Sequence, residues 1–466
     1  MKTKKILLWS ALLSAALLAV LIIACLALSK AGQPVGADPE NPVPEGNLLS
    51  GAGGDGLLDK DSPSGTGGPS DSDRPAESGN DGEAAPSEET DPEPVFDEYD
   101  IHLMAVGDNL MHMGIVNTGR MEDGSYDYSF LFRDIEAYLQ AADIKVINQE
   151  TILGGNDLGF SGYPRFNSPE EVGDAIADAG FNVVLHATNH AADQRLEGIL
   201  NCVSFWETNH PDILMTGISG DEPSDDIPLL QIKDVTFAIL NYTYGPNAET
   251  LSRSLHGHLN MLCAYDESSG RIDFTSLNPR VTEDIQKARE LADIVVVFPH
   301  WGTEYQTKPS SWQRAFAEQM TEAGADLIIG THPHVPQPVE WITSENGNAS
   351  LCYYSLGNYV STQKKAICML EEMAWVTFHV TEEGVTLSPD DTGLLPLVCQ
   401  YKSGPMRLKN IYLLEDYTEE LAAVHGIRGY GGVSLKLEDL QRWSQEIFGD
   451  WILKGSDILK DSDPPH

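Results

Sequence analysis

The chain has 466 residues, a formal net charge of −42 and a hydrophobic content of 41%. This length suits one large domain or two ordinary ones. The strongly acidic charge argues against a nucleic-acid partner, which requires a basic surface, and against docking of the folded body on anionic lipid. The charge is uneven, because residues 1–30 carry four lysines and no acid, whereas residues 31–100 carry 18 acids against Lys60 and Arg74.

The N-terminal segment predicts a membrane anchor. Residues 1–5 are basic, and residues 6–28 carry no charge over a length that spans a bilayer as a helix. Lysines before this stretch and acids after it place the body outside the cytoplasm. Two alternatives stay open: a lipoprotein signal, in which Cys25 of Ile22-Ile-Ala-Cys25 is lipidated, and a cleaved signal peptide. We therefore expect a single-pass protein of the cell membrane with an extracytoplasmic body.

Residues 31–99 predict a disordered tether. They consist largely of Gly, Pro, Ser, Asp and Glu, with almost no aromatic residues. Such a segment cannot bury enough apolar surface to fold, and its like charges keep it extended.

The six cysteines show no spacing typical of a zinc ribbon or a disulfide framework. They are Cys25, Cys202, Cys263, Cys352, Cys368 and Cys399. We interpret most of them as buried thiols, with a bridge between two of the last three as an open alternative.

Helical and strand patterns alternate from residue 100 onward, which predicts a layered α/β domain. Helices are expected at 129–142, at 169–179 between an N-cap Ser168 and Gly180, at 282–292, and from Ser311 to Gly324. Short apolar strands are expected at 101–106, 144–147, 181–185, 294–298 and 327–330.

The remaining pattern is mostly β-like. Residues 229–240 predict a hairpin, and further strands are expected at 337–342, 350–354, 372–380 and within 385–412. Residues 434–453 predict a terminal amphipathic helix. We therefore divide the chain into an anchor at 1–30, a linker at 31–99, an α/β domain at 100–400 and a C-terminal extension at 401–466.

Each of the five predicted α/β strands ends in side chains that can bind a metal. The clusters are Gly107-Asp108, Asn148-Gln149-Glu150, His186 to His190, His300-Trp301-Gly302 and Thr331-His332-Pro333-His334. Ligands of an open α/β sheet bind beyond the carboxyl ends of its strands, so these clusters should converge. Each cluster alone has an ordinary explanation in turn chemistry or capping. The set supplies the His and carboxylate ligands of a one- or two-metal site, which makes a metalloenzyme the leading hypothesis.

Seven short motifs occur in order between about residues 100 and 362. They are Gly107-Asp108-Asn-Leu-Met111, Asn148-Gln-Glu150, Tyr163-Pro-Arg-Phe-Asn167, Ala187-Thr-Asn189-His190-Ala-Ala-Asp193, His300-Trp-Gly302, Gly330-Thr-His-Pro-His334 and Ser355-Leu-Gly-Asn358. Together they resemble the CapA family, the poly-γ-glutamate capsule biosynthesis proteins. The resemblance implies a four-layer α/β/β/α sandwich similar to the calcineurin-like metallophosphoesterases, with a dinuclear metal site.

The resemblance also implies roles for individual residues. The metal ligands would be Asp108, Glu150 as the bridging carboxylate, Asn189, His300, His332 and His334. His190 would act as the catalytic acid, and Arg165 and Asn167 would contact a substrate carboxylate or phosphate. The usual Asp-x-His opening is absent after Asp108, and the nearest histidine is His112. We therefore expect one or two divalent ions, with Mn, Fe or Zn as the candidates.

Two functions agree with these features. One is a membrane-tethered, metal-dependent hydrolase or transferase of capsule or cell-envelope polymer biosynthesis, and the other is a non-catalytic factor that binds or exports polymer on the same fold. The expected partners are an anionic polymer or another envelope substrate, the membrane through the N-terminal segment, and a capsule synthase complex. Because residues 101–466 are themselves acidic, an anionic polymer would require a locally positive cleft.

Overall fold

The computed structural model describes residues 96–402 and 407–460. The predicted anchor, Cys25 and the linker up to residue 95 lie outside the described residues. Among the helices that are described, none is long and apolar enough to cross a membrane.

The described part of the chain alternates strands and helices. The strands are β1 (Tyr99–Asn109), β2 (Ile144–Asn148), β3 (Val183–Leu185), β4 (Leu214–Thr216), β5 (Leu229–Ile232), β6 (Val235–Thr243), β7 (Cys263–Tyr265), β8 (Ile272–Leu277), β9 (Ile294–His300), β10 (Leu327–Ile329), β11 (Val339–Thr343), β12 (Ala349–Tyr353), β13 (Asn358–Val360), β14 (Leu370–Thr381), β15 (Gly384–Leu387), β16 (Gly393–Lys402) and β17 (Arg407–Leu413). The α-helices are α1 (Met113–Val116), α2 (Glu136–Ala141), α3 (Glu171–Asp178), α4 (Arg195–Asn209), α5 (Pro279–Arg289), α6 (Ser311–Ala323), α7 (Glu419–Val424), α8 (Leu437–Phe448) and α9 (Gly455–Ile458).

Two mixed sheets form the framework. The first has the order β17-β16-β14-β1-β2-β3-β4, with β13 paired to β1 and β15 paired to β14. Its β1 to β4 half is parallel, and its β14 to β17 half is antiparallel. The second has the order β11-β12-β10-β9-β6-β5, with β12, β10, β9 and β6 parallel. The predicted α/β class is confirmed, as is the β5–β6 hairpin.

Alternating side chains of the central strands belong to two hydrophobic clusters. In β9, Val296 belongs to a cluster shared by both sheets, whereas Val297 belongs to a cluster shared with the helices. The rings of Phe237 in β6 and Phe378 in β14 lie 5.2 Å apart within the first cluster, so the sheets pack face to face. Helical residues such as Phe316 belong to the second cluster and cover the outer faces. The near-continuous apolar runs of the parallel strands follow from this burial on both faces.

The C-terminal part completes the first sheet. β16 contains residues 400 and 401, and β17 pairs along it in antiparallel register. Leu440 and Phe448 of α8 belong to the cluster between the sheets. The structure therefore differs from the predicted division at residue 400, because that boundary falls inside a strand.

Helix boundaries differ locally from the predictions. The segment 129–142 begins with two 3₁₀ turns, and only α2 is α-helical. Ser168 does not cap α3, because its hydroxyl lies 2.7 Å from the hydroxyl of Thr151. The N-cap of α6 is Ser310 rather than Ser311, and it forms a capping box with Gln313. The five described cysteines are buried and free, including the three for which a bridge was an alternative.

Candidate metal centre

The five strand-end clusters converge at one edge of the paired sheets. Asn148, at the end of β2, donates to Oδ1 of Asp108 in β1 over 2.8 Å. Nδ1 of His334, after β10, lies 3.0 Å from Oδ2 of Asp108. Nε2 of His300, at the end of β9, lies 2.9 Å from Oδ1 of Asn189, which follows β3. These contacts join both sheets, so the convergence predicted from the sequence is confirmed.

Asp108 is held by close approach of two backbone segments. Its N–H donates to the carbonyl of Gly357 over 3.0 Å. A Cβ at Gly107 would lie 2.1 Å from that carbonyl oxygen, so the position requires glycine. The N–H of His332 also donates to Oδ2 of Asp108 over 3.3 Å. The carboxylate is fully buried, and these contacts fix its orientation.

The loop after β10 presents two imidazoles from unusual backbone conformations. His332 has φ 100° and His334 has φ 58°, and residues other than glycine rarely adopt such positive φ angles. Such strain is concentrated at functional sites, where the surrounding structure holds it in place. Both rings point inward and are only 3% exposed.

Two sets of three ligands share one carboxylate. The side-chain ligand atoms of Glu150, His300 and His332 lie within 4.8 Å of one another, and so do those of Asp108, Glu150 and His334. Glu150 is therefore common to both sets, and it would bridge two ions if both sets held one. This arrangement matches the ligand set of a two-metal centre.

The unpaired polar atoms of the cluster fit bound cations. Neither oxygen of Glu150, nor Oδ1 of Asn148, nor Nδ1 of His332 has a hydrogen-bond partner among the described residues, although all are buried. A buried carboxylate without partners costs several kcal/mol, on the order of 3–5. A divalent metal removes this cost by direct coordination, and carboxylate with imidazole suits Mn, Fe or Zn.

The electrostatics of the cluster also suit a metal. Burial, together with the neighbouring imidazoles, holds the pKa of His300 and of His332 well below the ordinary value, so both rings are neutral and keep a free lone pair. Burial raises the pKa of Glu150 well above its ordinary value. Burial opposes the charge of His334, but Glu150 and Asp108 outweigh it and raise its pKa to about 10.

Neighbouring polar groups set the orientation of Asn189 and His300. The hydroxyl of Thr331 lies 2.9 Å from Nδ1 of His300 and can accept its proton, which leaves the Nε2 lone pair free. The amide of Asn189 donates to Oδ1 of Asn247 over 3.0 Å, which turns the Asn189 oxygen toward Nε2 of His300. Both atoms are thus available to one cation beside Glu150.

His190 lies next to the cluster and is oriented by a carboxylate. Its Nδ1 is 2.8 Å from Oδ2 of Asp193, and its Nε2 is 4.0 Å from Oε1 of Glu150. Asp193 is fixed in turn, since the N–H of Phe166 donates to the same oxygen over 2.6 Å. The ring of Phe166 packs edge-on against His190 at 4.7 Å between centroids.

The two predicted substrate-binding residues have different environments. Arg165 is exposed, whereas Asn167 is fully buried. The Asn167 side chain accepts from the N–H of Gly154 over 2.8 Å and donates to the carbonyls of Gly155 and Gly159 over 2.9 Å each. These contacts hold the loop together, so we assign Asn167 to loop support and keep Arg165 as the candidate for substrate contact.

Several residues at the site had no role assigned from the sequence. Asp193 follows His190 at a spacing of three, which is the available signal for a His–carboxylate pair. Tyr244 and Asn247 lie in the loop after β6, and the Tyr244 ring packs against His332 at 4.7 Å. The hydroxyl of Tyr244 donates to Asn247 over 3.1 Å. The carboxyl end of β6 therefore joins the site as a sixth strand.

The fold and site define an α/β protein with two overlapping sets of buried side chains that could hold metal ions at the edge of two packed sheets. Residues 102–363, more than half of the chain, match the family described as bacterial capsule synthesis protein PGA_cap. The chain belongs to this family.

Two proteins of Bacillus species are similar in sequence to this chain. The chain is 31% identical over 210 residues to the PGA biosynthesis protein CapA of Bacillus subtilis (strain 168), which covers 45% of this chain and 50% of the relative. It is 29% identical over 271 residues to the capsule biosynthesis protein CapA of Bacillus anthracis, which covers 56% and 60%, respectively. The chain thus matches half to three-fifths of these relatives' length.

A more distant similarity is to a crystal structure of a hypothetical protein from Thermus thermophilus. It covers 64% of this chain and 99% of that one, at 14% identity and a TM-score of 0.36. A similarity this low has no bearing on function.

Proposed function

We propose that this protein acts in the biosynthesis of poly-γ-glutamate capsule or of a related cell-envelope polymer, as a metal-dependent hydrolase or transferase. The observation that carries the proposal is the pair of buried ligand sets that share Glu150. Membership of the capsule synthesis family and the names of the Bacillus relatives support the biological setting. The N-terminal apolar segment supports an extracytoplasmic body tethered to the membrane.

The residues of the candidate site divide into those that would hold metal ions and one that would transfer a proton. Asp108, Glu150 and His334 would hold one ion, and Glu150, His300, His332 and the Asn189 oxygen would hold the other. When bound, such a pair supplies an activated water and electrostatic stabilisation of an oxyanion. Asn148 donates from its amide nitrogen to Asp108 and so helps to fix the orientation of that carboxylate.

His190 is placed to protonate a leaving group. Asp193 accepts from Nδ1, which fixes the orientation of the ring and leaves Nε2 facing the Glu150 side of the cluster. A general acid must reach the substrate oxygen rather than bind the metal. Arg165, exposed on the loop that packs against His190 through Phe166, can contact an anionic group of the substrate as it enters.

Metal content and hydrolysis of the full-length protein test the proposal. We expect one to two equivalents of Mn, Fe or Zn per chain by elemental analysis, and hydrolysis of bis(p-nitrophenyl) phosphate or of a γ-glutamyl oligomer. Glu150→Gln should lose metal and reduce the rate by about 100-fold or more, because it alters a ligand common to both sets. The matched control is Glu322→Gln, an exposed carboxylate away from the site, which should change neither quantity.

Two results would contradict the proposed enzymatic function. One is a wild-type protein without stoichiometric metal. The other is a metal-loaded protein whose polymer binding or capsule phenotype is unchanged in Glu150→Gln and His190→Gln. The second result would instead support the non-catalytic polymer-binding function.

A further inference from the structure

We propose that Lys365 is a specificity-determining residue that binds a carboxylate of the substrate beside the metal-ligand cluster. This inference rests on the proposed function and adds a residue and a substrate feature to it. Lys365 lies outside the seven ordered motifs, since the last of them, Ser355-Leu-Gly-Asn358, ends before it.

Lys365 is attached to the site through an aromatic ring. Its Nζ lies 3.6 Å from the centroid of the Tyr305 ring, a cation–π contact. The Tyr305 ring is 6.1 Å from that of His334, and the N–H of Tyr305 donates to the carbonyl of Pro333 over 2.7 Å. The ammonium group is therefore held on the His334 side of the cluster.

The backbone beneath this contact is constrained. Tyr305 has φ 65°, which is rare for an aromatic residue and marks strain that the surroundings hold in place. Gln363 donates to the hydroxyl of Tyr305 over 3.3 Å, and Asn358 donates both to Gln363 and to the carbonyl of His334 over 3.1 Å. The segment that carries Lys365 is thus bonded to the segment that carries the metal ligand.

The charge of Lys365 is available to a ligand. The side chain is exposed, and within residues 96–402 and 407–460 it forms no ion pair with a carboxylate. The arginines Arg280, Arg314 and Arg442 are, by contrast, each paired with acids. In a strongly acidic protein, an unpaired cation at the edge of the site supplies the local attraction that an anionic substrate needs.

The position of the cation indicates the substrate. In the proposed function, the metal-ligand cluster binds the reacting group of the substrate. Arg165 contacts an anionic group of the substrate on the His190 side. A second cation on the His334 side suits a substrate with anionic groups on both sides of the reacting bond. A γ-glutamyl chain has this form, because each unit carries a free α-carboxylate. A chain of phosphates shares the repeated negative charge and is the alternative to be distinguished.

Equilibrium binding to the full-length protein tests this assignment. The probes are a fluorescent γ-glutamyl tetramer, the same tetramer with its α-carboxylates converted to amides, and inorganic tripolyphosphate as competitor. Lys365→Ala should weaken binding of the carboxylate tetramer about fivefold, as expected for one partly exposed ion pair, and Lys365→Arg should restore it. The amide tetramer should bind weakly and show no response to Lys365→Ala.

Lys364 provides a matched control. It is also exposed and stacks on an aromatic ring, but that ring is Tyr430, at 5.0 Å, in the C-terminal part of the chain. Lys364→Ala should bind the tetramer within twofold of wild type. Equal effects of the two alanine variants, or no binding of the tetramer by wild type, would overturn the inference. So would a Lys365 dependence seen only for tripolyphosphate.

The two proposals fail in different ways. Bound metal should be unchanged in Lys365→Ala, because Lys365 belongs to neither ligand set. A protein that binds the tetramer through Lys365 but hydrolyses nothing would contradict the enzymatic function and support the role of Lys365. A protein that hydrolyses the tetramer equally well with and without Lys365 would support the enzymatic function and contradict the role of Lys365.

Discussion

Asp193 affects the candidate site through another residue. It touches neither ligand set, yet its carboxylate binds both Nδ1 of His190 and the N–H of Phe166. It therefore couples the orientation of the acid to the position of the loop that carries Arg165. The sequence placed His190 and Asp193 in one motif, but their spacing alone did not show that the two side chains meet.

Replacement of Asp193 by Asn should separate catalysis from metal binding. We expect a 10- to 100-fold lower kcat, because an amide no longer fixes the tautomer and orientation of the His190 ring as the carboxylate does. Bound metal should stay at the wild-type level, since Asp193 belongs to neither ligand set. The measurement combines elemental analysis with steady-state kinetics on the substrate found for the wild type. Loss of metal from the variant would instead make Asp193 part of the metal centre.

Arg165 and Asn167 show the limit of motif reasoning for single residues. Both occur in Tyr163-Pro-Arg-Phe-Asn167, and a polar side chain in such a loop suits either substrate contact or loop support. The path of the backbone decides between them, since it exposes Arg165 and buries Asn167 among three backbone groups. That path depends on contacts with residues 154–159, which no local pattern reveals.

Substitution by alanine should affect the stability of the protein at Asn167 and the binding of substrate at Arg165. Asn167→Ala leaves one buried N–H and two carbonyls without their partner, so we expect a loss of about 2–4 kcal/mol in the free energy of unfolding. Arg165→Ala should leave the free energy of unfolding within about 0.5 kcal/mol of wild type, because the side chain is exposed. It should raise KM, because the proposed contact with the substrate is lost. Chemical denaturation and substrate titration measure the two effects. Equal stability of the two variants would contradict the assigned roles.

Strand positions were easier to predict than helix ends. The five apolar strands match β1, β2, β3, β9 and β10, because burial on both faces imposes continuous runs of Val, Ile and Leu. Helix ends depend on which partner a capping side chain selects. Ser168 bonds to Thr151 instead of capping α3, and such a tertiary contact overrides a local preference.

The element around His425 gives the fold a pH-dependent contact. His425 donates from Nε2 to the carbonyl of Cys399 in β16 and accepts from the N–H of Ile427 at Nδ1, so a neutral ring joins the turn after α7 to the sheet. Burial lowers the pKa of His425 to about 4, although the bond to Cys399 opposes this. The ordinary value of 6.5 applies in the unfolded chain.

Stability should therefore fall as the pH falls through this window. Between pH 6.5 and about 4 the unfolded chain binds a proton at His425 that the folded protein does not, so acid favours unfolding. The advantage of wild type over His425→Gln should shrink by up to about 3 kcal/mol between pH 7.5 and pH 4. Denaturant unfolding of both proteins across this range is the measurement. A constant difference at all pH values would contradict a neutral buried His425.

At the scale of the molecule, the site exists because two separate sheets share an edge. Asp108, Glu150 and Asn189 come from the first sheet, and His300, His332 and His334 come from the second. The apolar runs predicted that the ligand-rich strand ends meet at a sheet edge, but they could not show that two sheets share this edge. The ordered motifs supplied that grouping. The contribution of β6 was missed, because its Tyr- and Asn-rich end resembles an ordinary loop.

The acidic body and the N-terminal segment together lead to a prediction about the cell. Because the net charge disfavours direct docking of the body on anionic lipid, any stable membrane association should depend on residues 1–30. We expect the full-length protein in the membrane fraction of a bacterial host and its body accessible to protease added outside the cytoplasmic membrane.

Variants of the segment distinguish its mode of attachment. Deletion of residues 1–30 should move the protein to the soluble fraction. Cys25→Ser should leave it in the membrane if residues 6–28 form an uncleaved helix, and should abolish incorporation of labelled fatty acid if Cys25 is lipidated. A full-length protein that is soluble and protected from external protease would contradict both forms of tethering. It would also remove the extracytoplasmic setting on which the proposed action on a capsule polymer depends.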